Sequence, residues 1–594
     1  MRRGQTIIGM RTLLLVIGGL VSNAVADTLP VMHRRPAAAL LSSDEARLYV
    51  ANQRSGTLST VDLQSGMVTE RQIGQQLTAL TRRPRADEII AVDFAAGELI
   101  VFSESNDASG IELRKRVETT SWPVSAAVSD DGERCCVASL WSRRATIHSW
   151  TETGDTGRAA VIDLPFAPRT VTFTDERHAV LGDSFGGRIA VVDCVAEQLV
   201  SVRELPIHNI RSLAVDGNDL LLSHQVLNSA ARTESEHIHW GVLMQNEITA
   251  LPIAAVLDAE VALDSVRRSV SLGSAGSGAG DPQAITGLSD RLLVSLGGTD
   301  ELALIDRVGV REARVPVGAR PVAVAVNRQS SRAFVVNELS DSISVVDLSR
   351  NEVVKELVLG PRPAAGSVER GERAFFSSQL SLENWMSCHS CHTDGHTNNQ
   401  LADTLGDGSY GDAKRVPSLL GVWATGPWAW NGKHSVLTSQ VAASLQNTMH
   451  TRDYRLSAGA EGGDAEPLAL AADLAAYLTT LRRPPSISSA RLMDNSADGA
   501  RDGAVVFESR GCATCHDPFT SLTTDGVFDV GLPDRNGLKD FNPPSLGAVS
   551  QRDRLLHDGR ARSIEDVLSK YSHPNGQKLP VDEQQALIDY LERQ

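Results

Sequence analysis

A unit of about forty residues recurs along the first half of this chain, and such a period restricts the backbone to a propeller or a solenoid. Arg35-Pro36 leads through Tyr49-Val50-Ala51-Asn52 to Leu58-Ser59-Thr60-Val61-Asp62. The same order returns as Arg320-Pro321, Phe334-Val335-Val336-Asn337 and Ile343-Ser344-Val345-Val346-Asp347. Both copies read as strands separated by turns. Weaker copies begin near Leu77, Pro123, Pro168, Ser212 and Pro282, which makes seven over residues 27–362. Short alternating strands between Gly, Asp and Asn turns suit four-stranded blades. The expected fold of this half is an all-β, seven-bladed propeller with a core of its own.

The fifth unit is interrupted between Leu222 and Leu251 by a segment holding His224, His237, His239 and Trp240. Blade geometry does not need it, and loops on rigid scaffolds commonly carry function. The segment reads either as a loop reaching the rest of the chain or as a solvated loop. The repeats resemble the YVTN units of bacterial seven-bladed propellers, Tyr49-Val50-Ala51-Asn52 being nearest to that name.

The second half carries two copies of one pentapeptide, Cys388-His389-Ser390-Cys391-His392 and Cys512-Ala513-Thr514-Cys515-His516. Two thiols one helical turn apart can add to the two vinyl groups of a porphyrin, and the following His is then placed to bind its iron. Zinc also takes paired cysteines with a nearby His. The repetition of the whole pentapeptide favours two covalently bound haem c groups, with His392 and His516 as metal ligands.

The N-terminus agrees with export. Arg2, Arg3 and Arg11 precede an apolar run, Leu13 to Val21, and Ala24-Val25-Ala26 supplies a small-residue cleavage point. Residues 1–26 therefore read as a cleaved signal peptide, and the mature chain is expected in the periplasm. No other stretch approaches the ~20 apolar residues of a spanning helix. Loss of the three arginines takes the formal charge from −16 to about −19. That charge excludes a basic nucleic-acid face and suits a basic redox partner. Cys135, Cys136 and Cys194 remain outside the pentapeptides and read as buried thiols, although Cys194 could pair with either neighbour.

Beyond Pro361-Arg362-Pro363 the chain duplicates itself. Arg370 to Phe375 parallels Asp502 to Phe507, and Val416-Pro417-Ser418-Leu419 parallels Pro543-Pro544-Ser545-Leu546. Trp430-Asn431-Gly432-Lys433 follows in one copy and His557-Asp558-Gly559-Arg560 in the other, each at the same distance from its proline. Each copy closes on an amphipathic helix, around Tyr477 and Tyr590. Two mostly α-helical cytochrome c domains are expected, at residues 363–484 and 485–594.

Residues 363–594 resemble the di-haem cytochrome c peroxidase and MauG superfamily in these motifs. The resemblance implies a distal ligand for the second haem fourteen residues after the His of the second tetrapeptide, Met in the peroxidases and Tyr in MauG; here that residue is Tyr571. Tyrosinate is a hard donor that stabilises oxidised iron. The corresponding residue of the first copy is Ser444, a poor ligand, which leaves the His392 haem an open face. Where relatives carry a catalytic Glu this chain has His450, preceded by Met449. An imidazole there could move a peroxide proton, and either residue could instead close the site. Trp430 matches the tryptophan between the haems of the family and would relay electrons. Arg415 stands where relatives use Asn towards a calcium ion, and that departure puts calcium in doubt.

The expected function is thus a periplasmic di-haem oxidoreductase. It would act on hydrogen peroxide and exchange electrons with a small cytochrome c, a cupredoxin or a protein substrate. The alternative is a di-haem electron carrier whose propeller binds a partner and which has no peroxidase activity.

Overall fold

The computed structural model describes residues 31–594 apart from 106–109, 151–155, 308–311, 452–466, 492–496, 575 and 577. The expected signal peptide lies outside the described residues. Each of the seven repeats forms a four-stranded antiparallel sheet whose strands follow one another in sequence order. Their innermost strands are Pro36–Leu41, Leu77–Arg83, Pro123–Val128, Pro168–Phe173, His208–Asp216, Pro282–Gly287 and Pro321–Val326. Each neighbours the innermost strand of the next blade, and the seventh closes on the first.

The second strands are buried on both faces because each blade is sandwiched between two others. In Arg47–Asn52, Tyr49 and Ala51 pack towards the second blade, while Leu48 and Val50 pack towards the seventh. The same alternation separates the adjacent thiols: Cys135 and Cys136 enter different inter-blade cores, and Cys136 shares its core with Cys194.

At four blade starts a non-glycine residue with positive φ precedes the first proline: Arg35 (53°), Trp122 (67°), Asp281 (57°) and Arg320 (52°). Proline disfavours the right-handed helical region for the residue before it. Three of these residues reach across to the helical half of the chain. Arg35 pairs with Glu372, Asp281 accepts from Ser387 and Ser390, and Arg320 Nη2 lies 3.8 Å from Asp394. Asp394 also meets Arg211 at 2.9 Å and Arg169 at 3.2 Å.

The fifth-blade interruption is shorter than its sequence suggested. His224 lies within a nine-residue strand, Asp219–Leu227, and bonds Thr249 Oγ1 at 2.7 Å inside the blade. The excursion runs over residues 228–243 and contains one helical turn, α1 (Ser235–His239). It reaches the helical half: His239 Nδ1 meets Glu383 at 2.8 Å, and Tyr410 Oη donates to the Thr233 carbonyl at 2.9 Å.

In the helical half, α2 (Ser367–Phe376) leads to α3 (Cys388–Cys391), then α4 (Leu437–Asn447) and α5 (Pro467–Leu478). A second set follows, α6 (Ala497–Ser509) and α7 (Val581–Leu591). Helix α2 packs on α5 as α6 packs on α7. Glycine permits both approaches: a Cβ on Gly371 would stand 1.9 Å from the Asp473 carbonyl, and one on Gly503 2.1 Å from that of Ala586. Phe375 meets Tyr477 at 5.3 Å, and Phe507 meets Tyr590 at 5.3 Å. Antiparallel bridges join Trp428 to His434 and Leu555 to Ala561. The duplication is thus visible in packing as well as in sequence.

The expectation of separate cores does not hold for the first set. Leu227, Ala231, Ile238, Leu243, Ala319 and Leu339 of the propeller share one apolar cluster with Phe375, Phe376, Trp385, Met449 and Leu474. The second set has its own cluster around Phe507, Leu555 and Leu587. Among the described residues no helix is long and apolar enough to cross a membrane.

Candidate functional site

Helix α3 is a single turn, started where the Ser387 amide donates to Ser390 Oγ at 2.9 Å. That turn presents Cys388 and Cys391 to a cavity of about 330 Å³, which His392 also lines. The volume is that of a cofactor site. Its walls are largely apolar, with Phe375, Leu419, Trp428, Val441 and Leu445. His392 Nδ1 donates to the Pro417 carbonyl at 2.9 Å, which fixes the ring and leaves Nε2 for a metal. Burial lowers this imidazole to about 4, so it is neutral with a free lone pair at neutral pH. Burial also pushes the Cys388 and Cys391 thiols up to about 12.

The polar groups of the cavity are few. Arg415 is 2% exposed, yet its Nη1 has no hydrogen-bond partner among the described residues. Burial depresses this guanidinium to about 9. On α4, Gln440 and Ser444 both line the cavity. Gln440 Nε2 donates to Ser444 Oγ at 3.1 Å, while Gln440 Oε1 is buried without a partner. A haem presents an apolar ring, two carboxylates and a metal. Apolar walls, a guanidinium with an unpartnered Nη1 among the described residues and a fixed imidazole fit that set. Gln440 was not singled out from sequence, although it stands one helical turn before Ser444 and so shares its face.

His450 is not placed as expected. Its φ is +52°, and its imidazole turns to the fifth-blade excursion, with Nε2 at 2.8 Å from the Thr233 carbonyl and Nδ1 at 3.3 Å from Ser235 Oγ. Met449 lines the cavity instead and is 4% exposed. Trp430 also lines it and donates from Nε1 to the Arg415 carbonyl at 3.1 Å. The Trp430 ring lies 6.5 Å from that of His557, which stacks on Phe541 at 4.2 Å. Trp430 therefore links the cavity to the second copy of the duplication.

The second pentapeptide forms a 3₁₀ turn, Cys512–Thr514. Its thiols are half-buried, and burial raises both. His516 Nδ1 donates to the Leu522 carbonyl at 3.3 Å. Burial, and after it the nearby His573, lowers His516 to about 4. Tyr571 Oη donates to the Arg560 carbonyl at 3.1 Å, with the Arg560 and Lys570 cations 5.8 and 5.3 Å from its ring. His573 Nδ1 is buried without a partner among the described residues.

Between the two copies, the Lys414 ammonium stands 3.3 Å from Asp407, 3.2 Å from Asp412 and 2.9 Å from Asp534. These carboxylates thus meet a fixed cation one residue before Arg415, whose own side chain lines the cavity.

Residues 365–480 match the family described as di-haem cytochrome c peroxidase. The methylamine utilization protein MauG of Methylorubrum extorquens is 30% identical across 37% of this chain and 73% of its own length. Among solved structures, hydrazine synthase of Kuenenia stuttgartiensis aligns with a TM-score of 0.46 and 17% identity, over 56% of this chain and 99% of that one. A virginiamycin B lyase of Staphylococcus aureus aligns with a TM-score of 0.38 and 13% identity, over 52% and 94%.

Proposed function

This chain belongs to the di-haem cytochrome c peroxidase and MauG family, and from that membership we propose an exported, periplasmic di-haem oxidoreductase that acts on hydrogen peroxide at the His392 site. The observation that carries the reading is the cavity shared by Cys388, Cys391 and His392, with polar groups on its wall that lack partners. When bound, haem supplies an iron that exchanges single electrons and a ring that tolerates their loss. The two thiols of each pentapeptide would hold one haem covalently, His392 and His516 would each ligate one iron, and Arg415, whose Nη1 lacks a partner among the described residues, would receive a haem carboxylate.

The chain's own residues then define the chemistry. Gln440 Oε1 accepts a hydrogen bond from protonated peroxide and orients it, in place of the proton carrier expected at His450. Hydrogen peroxide takes up two electrons and two protons and leaves as two waters. Trp430 stands on the route between the two sites and passes the electrons. They come from a small cytochrome c, a cupredoxin or an oxidisable residue of a protein substrate. His573 closes the second site: its imidazole lies near His516 and is without a partner among the described residues, whereas the Tyr571 hydroxyl that family spacing names already donates to the Arg560 carbonyl.

Met449 supports a second reading. Its thioether on the cavity wall could take the sixth position, which would make the chain an electron carrier without peroxidase activity. Rapid mixing of the ferric holoprotein with peroxide separates the two. A new absorbing species, formed about tenfold more slowly in Gln440→Ala, the worth of one hydrogen bond, supports the first. An inert protein, before and after one-electron reduction, supports the second.

A further inference from the structure

Asp281, at the start of the sixth blade, is 2% exposed. It accepts hydrogen bonds from both serines of the first haem-attachment turn. Ser390 Oγ donates to Oδ1 at 2.5 Å, and Ser387 Oγ donates to Oδ2. Ser387 adjoins Cys388, and Ser390 adjoins Cys391. Two residues of the fifth blade grip the same turn: Gln225 Nε2 donates to Ser390 Oγ at 3.1 Å, and His208 Nε2 to the Ser390 carbonyl at 3.1 Å. Asn246 continues the grip, its Nδ2 donating to the Trp385 carbonyl at 2.9 Å.

Burial raises the Asp281 carboxyl above its ordinary value, while the Ser387 and Ser390 hydroxyls and the Arg320 and Arg211 cations favour its charged form. The hydroxyl donors stabilise and orient the carboxylate, and burial keeps water from screening its charge. That fixed negative charge lies one residue from each thiol. An adjacent anion favours the ferric over the ferrous state, because the ferric centre carries one more positive charge. The propeller therefore contributes an electrostatic element to a site whose ligands all lie in the helical half.

We propose that Asp281 is a positioning residue that sets the redox potential of the first haem, locking the attachment turn to the propeller and holding the potential down with its buried charge. The proposal rests on the reading that a haem is bound at Cys388, Cys391 and His392. A low potential suits the site that gives electrons to peroxide.

Spectroelectrochemical titration of the holoprotein tests this with Asp281→Asn, which keeps the shape and removes the charge. At a unit charge about 10 Å from a redox centre and an effective dielectric near 20, the ferrous-to-ferric ratio at the wild-type midpoint rises about tenfold. The second haem keeps its potential. Should Asp281→Asn not fold, Asp281→Ser removes the same charge and leaves room for water, with a shift in the same direction. Unchanged potentials, or an equal shift of both haems, overturn the proposal. Peptide mass mapping that finds no haem on residues 388–392 would overturn the underlying reading instead.

Discussion

Replacing Glu372 with Gln should loosen the joint between the propeller and α2 while preserving shape. Glu372 meets two arginines of the first blade. Arg54 Nη2 lies 2.7 Å away, but its side chain is 40% exposed, so that pair is worth at most about 1 kcal/mol. Arg35 is 6% exposed and Glu372 7%, and loss of one partner from a buried pair costs about 3–5 kcal/mol. Glutamine retains one acceptor, worth about 1 kcal/mol. The expected loss is therefore roughly 2–4 kcal/mol near neutral pH, dominated by Arg35.

A chain of several cores does not unfold in two states, so amide hydrogen exchange is the suitable assay. Exchange in residues 367–376 and in the first blade should accelerate about 30- to 900-fold. Burial raises the Glu372 carboxyl, but Arg35 and Arg54 outweigh it and hold the group below its ordinary 4.5. A depressed carboxylate contributes stability above its unfolded value and loses it as pH falls through the folded one. The difference between wild type and Glu372→Gln should thus shrink as pH falls below the ordinary 4.5. Equal exchange at pH 7, or a difference that persists in acid, would refute the reasoning.

Three further substitutions address the ligands and the joint between the haem-bearing copies. His573→Ala should convert the low-spin ferric signal of the second haem to high-spin, whereas Tyr571→Phe should leave it, and the reverse pattern in electron paramagnetic resonance would return the ligand role to Tyr571. Lys414→Met leaves Asp407, Asp412 and Asp534 facing one another; exchange at residues 405–415 should rise at neutral pH and recover in acid as the carboxylates protonate, and unchanged exchange would show that the ammonium contributes nothing.

The blades were legible because their signal is local. Each repeat start near Leu77, Pro123, Pro168, Ser212, Pro282 or Pro321 falls in an innermost strand, and strand alternation and turn residues act over a few positions. The duplication was legible for the same reason, as short motifs at fixed spacing. What escaped was long-range. Glu372 and Arg35 are 337 residues apart in sequence, and Ser390 and Asp281 are 109 apart. No periodicity joins such pairs, so the propeller looked independent when it shares a core with the first haem-bearing set. His450 was misplaced because spacing gives a position along the chain but not a left-handed turn, and the excursion that bonds its ring belongs to the fifth blade of the propeller. A clue was present in Arg35-Pro36, Asp281-Pro282 and Arg320-Pro321, charged residues repeated at the starts of blades that need none.

Counting haems by spin state on the purified ferric holoprotein tests the central claim most directly, with mass mapping of residues 388–392 and 512–516 in the same sample. The account predicts haem on both peptides, one high-spin signal from the open His392 site and one low-spin signal from the closed His516 site. Two low-spin signals, or haem on a single peptide, would contradict it.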